Sequence, residues 1–502
     1  ILGHPDSDAV AIADSRIIAH GRYNEIKTHI GPRTHMLRLG GRLLAPGFID
    51  CHQHFMEAAA VAVGLSLVRC RTVGELLAIL RVAAAKTPPG NWLRAFGCDE
   101  ALMRERRGPT REELDHAVPK NPLRLRHQTL HASWLNSRAI AALGLESSQF
   151  APPKGGQMLR DSNGRMSGLI VGMEQWLSTR LPRVTAAELE SRARFYSYEL
   201  AANGITAFTD ATVRNGADEV ATFSGLVASR AIKQRVSLMI RPEHLRGIGA
   251  LRKTGEAGGI QVAGVKFMHV TQWDPERLAQ TLVEALRQGA DCAFHATEIE
   301  ELDVVLRACH KAWPQLGQQA TGSLRIEHGG LIPPEYPKQI SALRAWVVTN
   351  PGFIYYRGAK YAGEPGLVPY LYRARSLLES GVKLAGGTDA PVTPAKPLHA
   401  IAAAVARISI EGYELAPAEG LATDSALALF TRSAADVSRL PAGEIMTGRL
   451  ADLIVLPGDP TKLKPVELMN LPVEATIVGG QVIYERGRPV IAESAGLPLF
   501  SS

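Results

Sequence analysis

Between residues 45 and 442, short apolar runs alternate with longer segments whose apolar positions recur every three to four residues. The runs at 47–54, 204–210, 235–241, 263–269, 290–296, 323–329, 345–350 and 382–389 read as strands. A typical intervening segment is Pro275-Glu-Arg-Leu-Ala-Gln-Thr-Leu-Val-Glu-Ala-Leu-Arg, in which Leu278, Leu282, Ala285 and Leu286 fall on one helical face. Strands that alternate with such helices pair in parallel, and eight of them suffice to close a barrel. The segment 122–127 also reads as a strand and competes for a place in that count.

The two ends are patterned differently. Asp8-Ala-Val-Ala-Ile-Ala, Arg16-Ile-Ile-Ala and His35-Met-Leu-Arg-Leu near the start, and Ala451-Asp-Leu-Ile-Val-Leu, Ala475-Thr-Ile-Val and Gly479-Gly-Gln-Val-Ile-Tyr near the finish, read as half-buried antiparallel strands separated by tight turns. The expected fold is therefore α/β: a (β/α)₈ TIM-type barrel (45–65 plus 186–442), with a small β-sandwich domain built from both termini (1–44 plus 443–502). The stretch from 66 to 185 is too long for one crossover. It reads as a large insertion after the first barrel strand, on the catalytic face, where it would form a lid or substrate subdomain.

Composition changes this picture little. At 502 residues, 46% hydrophobic and 21% charged, the chain is ordinary for a globular protein. The formal charge of +7 is scattered, and the densest cluster, Arg104, Arg106, Arg107 and Arg111, is interrupted by Glu105, Glu112 and Glu113. No nucleic-acid partner is expected from that pattern. No stretch approaches 18 apolar residues, so no membrane partner is expected either. The cysteines number five, an odd count, and lie in apolar contexts, which suits a reducing compartment. A cytoplasmic location is expected, with a leader left open because the sequence starts at Ile1 rather than Met.

The chemistry lies at the strand ends. His52 and His54 are two residues apart after Gly47-Phe-Ile, so along a strand both rings leave on the same face. Such a pair is common by chance. However, Lys266 closes the fourth candidate strand, His295 the fifth, His328 the sixth and Asp389 the eighth. Imidazoles and carboxylates can hold zinc while leaving room for a water, whose pKa falls from about 15.7 towards neutrality. Asp389 is the natural group to take that water's proton and pass it to a leaving nitrogen. An ammonium is an odd neighbour for a cation. Lys266 makes sense either carboxylated at N6, as an anionic bridge between two metals, or as an uncoordinated cation near substrate.

With these residues in place, the chain resembles the amidohydrolase superfamily, and within it amidohydrolase family 3, the YtcJ-like branch. Pro46-Gly-Phe-Ile-Asp-Cys-His-Gln-His is similar to the family's first-strand motif. Gly264-Val-Lys, Arg325-Ile-Glu-His and Gly387-Thr-Asp-Ala-Pro-Val resemble those of strands four, six and eight. Gly448-Arg-Leu-Ala-Asp-Leu resembles the closing signature, and Pro109-Thr-Arg-x-x-Leu-Asp, His131-Ala-Ser-Trp-Leu-Asn-Ser and Asp161-Ser-Asn-Gly resemble branch motifs. The resemblance implies one or two divalent metal ions, zinc foremost. His52, His54 and Asp389 would hold one, His295 and His328 a second, and carboxylated Lys266 would bridge them. Asp389, His328 and Lys266 are the expected catalytic residues.

The implied activity is hydrolysis of a C–N bond in a small non-peptide amide, an N-acyl or N-formyl amine, by hydroxide generated at the metal. A heterocyclic-amine deaminase and a cyclic-amide hydrolase are the alternatives. The partner is then a small-molecule amide, and a homo-oligomer, dimer or larger, is expected. The chain departs from the branch in two places: His269-Val-Thr-Gln-Trp273 replaces the usual Asp-Gly, and Ala296-Thr-Glu298 the usual Ile-Gly-Asp. His269, Trp273 and Glu298, with His131 of the insertion, are therefore the candidate substrate contacts.

Overall fold

Both faces of the run Asp291-Cys-Ala-Phe-His-Ala are buried, as in a strand covered on both sides. The computed structural model, which describes residues 1–147, 149–182, 184–316 and 321–488, places this run in an eight-stranded parallel sheet. Its strands are β1 (Phe48–Gln53), β2 (Ile205–Asp210), β3 (Arg235–Ile240), β4 (Ile260–Phe267), β5 (Asp291–Ala296), β6 (Leu324–His328), β7 (Trp346–Thr349) and β8 (Lys383–Gly386). They lie in sequence order, and the sheet curls into a nearly closed (β/α)₈ barrel. The intervening helices form as the periodicity predicts. Pro275–Arg287 is capped by Asp274, which accepts from the Arg277 amide at 2.8 Å, and it buries Leu278, Leu282, Ala285 and Leu286.

The open edges of the sheet meet between β8 and β1. Asp389 N donates to His52 O at 2.7 Å, and His54 N donates to Ala390 O at 2.8 Å. The buried carboxylate of Asp50 accepts from the Thr388 amide at 2.9 Å and from its hydroxyl at 2.5 Å. These contacts explain why the strand expected to run through residue 389 leaves its ladder after Gly386. From Gly387 onward the backbone turns to serve the seam, and Asp389 sits at a φ of 57°. The fourth strand likewise ends at Phe267, short of the expected 269, and His269 takes a φ of 50°.

The chain falls into two compact units: Ile1–Phe55 together with the described residues from Tyr196 on, and Met56–Phe195. Within the first, Leu43–Pro46 pairs antiparallel with Leu453–Leu456, which continues to Ala475–Val478 and Gln481–Glu485. Ala9–Ala13 and Arg16–Gly21 form a two-stranded sheet beside it, over a shared core of Ile17, Leu44, Ile445, Leu453, Val455 and Ile477. The segment 35–39, expected as a strand, is not one. Met36 and Leu37 are about half exposed, and no strand pairs with them. The last part of the expected 443–502 segment, 489–502, lies outside the described residues.

The second unit has its own six-stranded mixed sheet and a core that includes Leu76, Leu80, Leu114, Leu123, Leu125 and Trp134. The competing run at 122–127 belongs here, as Leu123–His127. All five cysteines are unpaired and buried. Among the described residues, no helix is long and apolar enough to cross a membrane.

Gly264 stands where β4 crosses β5 most closely: a Cβ there would lie 2.0 Å from the Asp291 carbonyl oxygen. Gly264→Ala should therefore push the two strands apart and lower stability by about 1–3 kcal/mol, read as an earlier midpoint in chemical unfolding.

Candidate active site

The side chains at the C-terminal ends of β1, β4, β5, β6 and just beyond β8 converge. His52 Nε2 and His54 Nε2 lie 3.5 and 3.1 Å from Asp389 Oδ1, and these three residues could hold one metal ion. His328 Nε2 lies 3.0 Å from His295 Nδ1, and the His52 and His328 rings are 4.7 Å apart between centroids. Lys266 is 1% exposed, and its ammonium nitrogen has no hydrogen-bond partner among the described residues. The structure thus brings together His52, His54, Lys266, His295, His328 and Asp389. Cys51, between the two histidines, is core: its Sγ lies 3.7 Å from Ala434 O.

Groups packed behind the cluster set the ring orientations. Asn350 donates its amide N–H to Gly387 O at 2.8 Å, which leaves its oxygen to accept from His328 Nδ1–H at 2.8 Å. The His328 Nε2 lone pair then faces His295. His54 Nδ1 is 3.0 Å from the Thr212 hydroxyl. His52 Nδ1 meets Glu327, whose other oxygen accepts from Arg325 Nε at 2.7 Å. Arg325 and Glu327 stand within the Arg325-Ile-Glu-His motif, which by itself assigns them no task. The signal was their alternation with Ile326, which places both on the face opposite to it.

Burial dominates the electrostatics. It pushes the His52 and His328 imidazoles well below their usual range, so both are neutral. It lowers the Lys266 amine to about 8, against the opposing pull of Glu327 and Asp389. Burial alone would raise the Asp389 carboxyl, but His54, His52 and Lys266 outweigh it and hold the group below the usual carboxylate value. Asp50, at the seam, is raised to about 7 by burial despite the hydrogen bonds it accepts from Thr388 and the His52 amide. The set of neutral imidazoles, an ionised carboxylate and a readily deprotonated lysine is a donor set for a divalent cation.

His269 is exposed at the end of β4. Trp273 is half buried, donates its indole N–H to Met268 O at 3.2 Å and packs edge-on to Phe267. Glu298 precedes helix Ile299–Leu316, and partial burial together with the nearby Glu301 raises its carboxyl. His131 belongs to the second unit, where it is exposed just before the strand Ala132–Leu135. That unit also groups Asp99, Glu100 and His127. There His127 Nδ1 accepts from the Thr129 amide at 2.9 Å, which leaves the hydrogen on Nε2, 3.2 Å from Glu100, rather than a lone pair.

The profile of the amidohydrolase family matches residues 38–484. The chain belongs to that family. It is accordingly a metal-dependent hydrolase acting on carbon–nitrogen bonds. This amidohydrolase is similar to N-substituted formamide deformylase of Arthrobacter pascens, at 26% identity over 96% of this chain and 95% of that protein. It is also 26% identical to the putative amidohydrolase YtcJ of Bacillus subtilis (strain 168), over 96% of each. Among solved structures, an uncharacterized metal-dependent hydrolase from Pyrococcus horikoshii OT3 shares the fold, with a TM-score of 0.72 at 22% identity, over 91% of this chain and 95% of that one.

Lys266 should be a liability in the metal-free amidohydrolase. Its folded pKa lies below its unfolded one, so the unfolded state holds more protons between about pH 8 and 10.5, and stability there rises with pH. Metal-free Lys266→Met should thus be the more stable protein below pH 8. Its advantage, on the order of 3 kcal/mol, should shrink through that window in urea titrations of both proteins.

Proposed function

We propose that this amidohydrolase hydrolyses the amide bond of a small N-acyl or N-formyl amine, with zinc as its metal. The observation that carries the reading is the approach of Asp389 Oδ1 to both His52 Nε2 and His54 Nε2, beside a buried lysine with no hydrogen-bond partner among the described residues. The full-length likeness to a protein named for formamide deformylation supports the substrate class.

In this reading His52, His54 and Asp389 hold one ion, and His295 and His328 a second. When bound, the ions acidify a water and polarise the scissile carbonyl. The Lys266 amine, neutral more readily than an exposed lysine, would add to carbon dioxide with loss of a proton, and as a carbamate it would join the residues that hold the ions. His54 and His52 help to hold the Asp389 carboxyl below the usual carboxylate value despite its burial, so it can accept a proton at its carboxylate and deliver it to the amide nitrogen as the C–N bond breaks. His328, turned by Asn350, presents its Nε2 lone pair rather than an N–H to the reacting region. Amine and carboxylate are the products.

The test is a panel of N-formyl and N-acyl amines, assayed for released amine with zinc-loaded protein and again after chelation. Release that is lost on chelation, restored by zinc and reduced at least 10²-fold in Asp389→Asn is the expected outcome. Ammonia from heterocyclic amines, with no amine from the amides, would overturn the substrate assignment.

A further inference from the structure

We infer that Glu327, held by Arg325, is a positioning residue that fixes the tautomer of His52 and thereby its readiness to bind metal. The inference rests on the reading of His52 as a ligand. Glu327 is fully buried and Arg325 is 1% exposed, so neither is on display to solvent. Arg325 Nε donates to Glu327 Oε1 at 2.7 Å, and its Nη2 donates to Oε2 at 3.3 Å and to the Cys51 carbonyl at 2.9 Å. An arginine is always a donor, and here it donates to both oxygens of the facing carboxylate. Glu327 Oε2, the oxygen nearer to His52 Nδ1, is therefore an acceptor, and Nδ1 must carry the hydrogen. A neutral ring with its hydrogen on Nδ1 has a bare lone pair on Nε2, which is the atom turned to Asp389.

The arrangement also explains why a buried ion pair is kept here. A carboxylate offers two acceptor oxygens at once, one for Arg325 and one for His52, while any neutral isostere offers a single one. An amide at this position must give its oxygen to Arg325, which cannot accept. Its N–H₂ then faces Nδ1 and reverses the ring, placing a hydrogen on Nε2 where the metal must bind. The strand alternation of Arg325 and Glu327, two residues apart on β6, lets one strand carry the whole relay to a ring on β1.

The experiment measures zinc affinity by competition with a chromophoric chelator for the parent, for Glu327→Gln and for the double variant Arg325→Met/Glu327→Gln, with a thermal melt of each metal-free protein. The parent should bind zinc, and Glu327→Gln should bind at least 10- to 100-fold more weakly. The double variant frees the amide to turn its oxygen to His52 and should recover at least tenfold of that loss. A purely structural ion pair would not produce such a rescue. Glu327→Gln within twofold of the parent, or a double variant no better than the single one, overturns the inference; if Glu327→Gln does not fold, the double variant must bind within tenfold of the parent. A parent that binds no zinc would instead refute the ligand reading on which it stands.

Discussion

Closing the barrel is the constraint on which the rest of this molecule depends, because the seam and the site are built from the same residues. β8 and β1 do not meet through a regular ladder. They meet through Asp389 N on His52 O, His54 N on Ala390 O, and Thr388 on Asp50. The first two clamps fix the backbones of His52, His54 and Asp389, whose side chains point into the cluster. Asp389 and His328 hold positive φ values of 57° and 71°, conformations that a non-glycine residue adopts only when its surroundings impose them. Gly387 allows the approach: a Cβ there would lie 2.6 Å from His52 Cβ.

Burial then converts a crowd of basic side chains into a set able to receive a cation. In water, histidines so close to a lysine would repel any metal. Inside the barrel burial disfavours the charged forms of His52, His328 and Lys266, so the two imidazoles present lone pairs and the amine gives up its proton more readily than an exposed lysine does. The groups whose charged forms are favoured, Arg325 beside Glu327 and Asp389 among its imidazole neighbours, have partners at contact distance. Membership of the amidohydrolase family agrees with this arrangement.

Much of the architecture was legible because its code is local. A strand buried on both faces has to be apolar along its length, and a helix on the barrel's outside has to be amphipathic, so Asp291–Ala296 and Pro275–Arg287 announce themselves. The failures were also local in origin. His35-Met-Leu-Arg-Leu alternates as a strand should, yet alternation cannot supply a pairing partner. Leu123–His127 is a true strand, but nothing in its five residues says which sheet it joins.

The sequence by itself determined which residues stand at the barrel's catalytic end: spacing by one or two βα units puts Lys266, His295, His328 and Asp389 level with His52 and His54. It could not determine which way each ring faces or which form each group takes. Those depend on contacts between residues far apart in the chain, such as His52 with Glu327 and Asn350 with Gly387. They depend also on a low-dielectric interior that exists only once the sheet has closed.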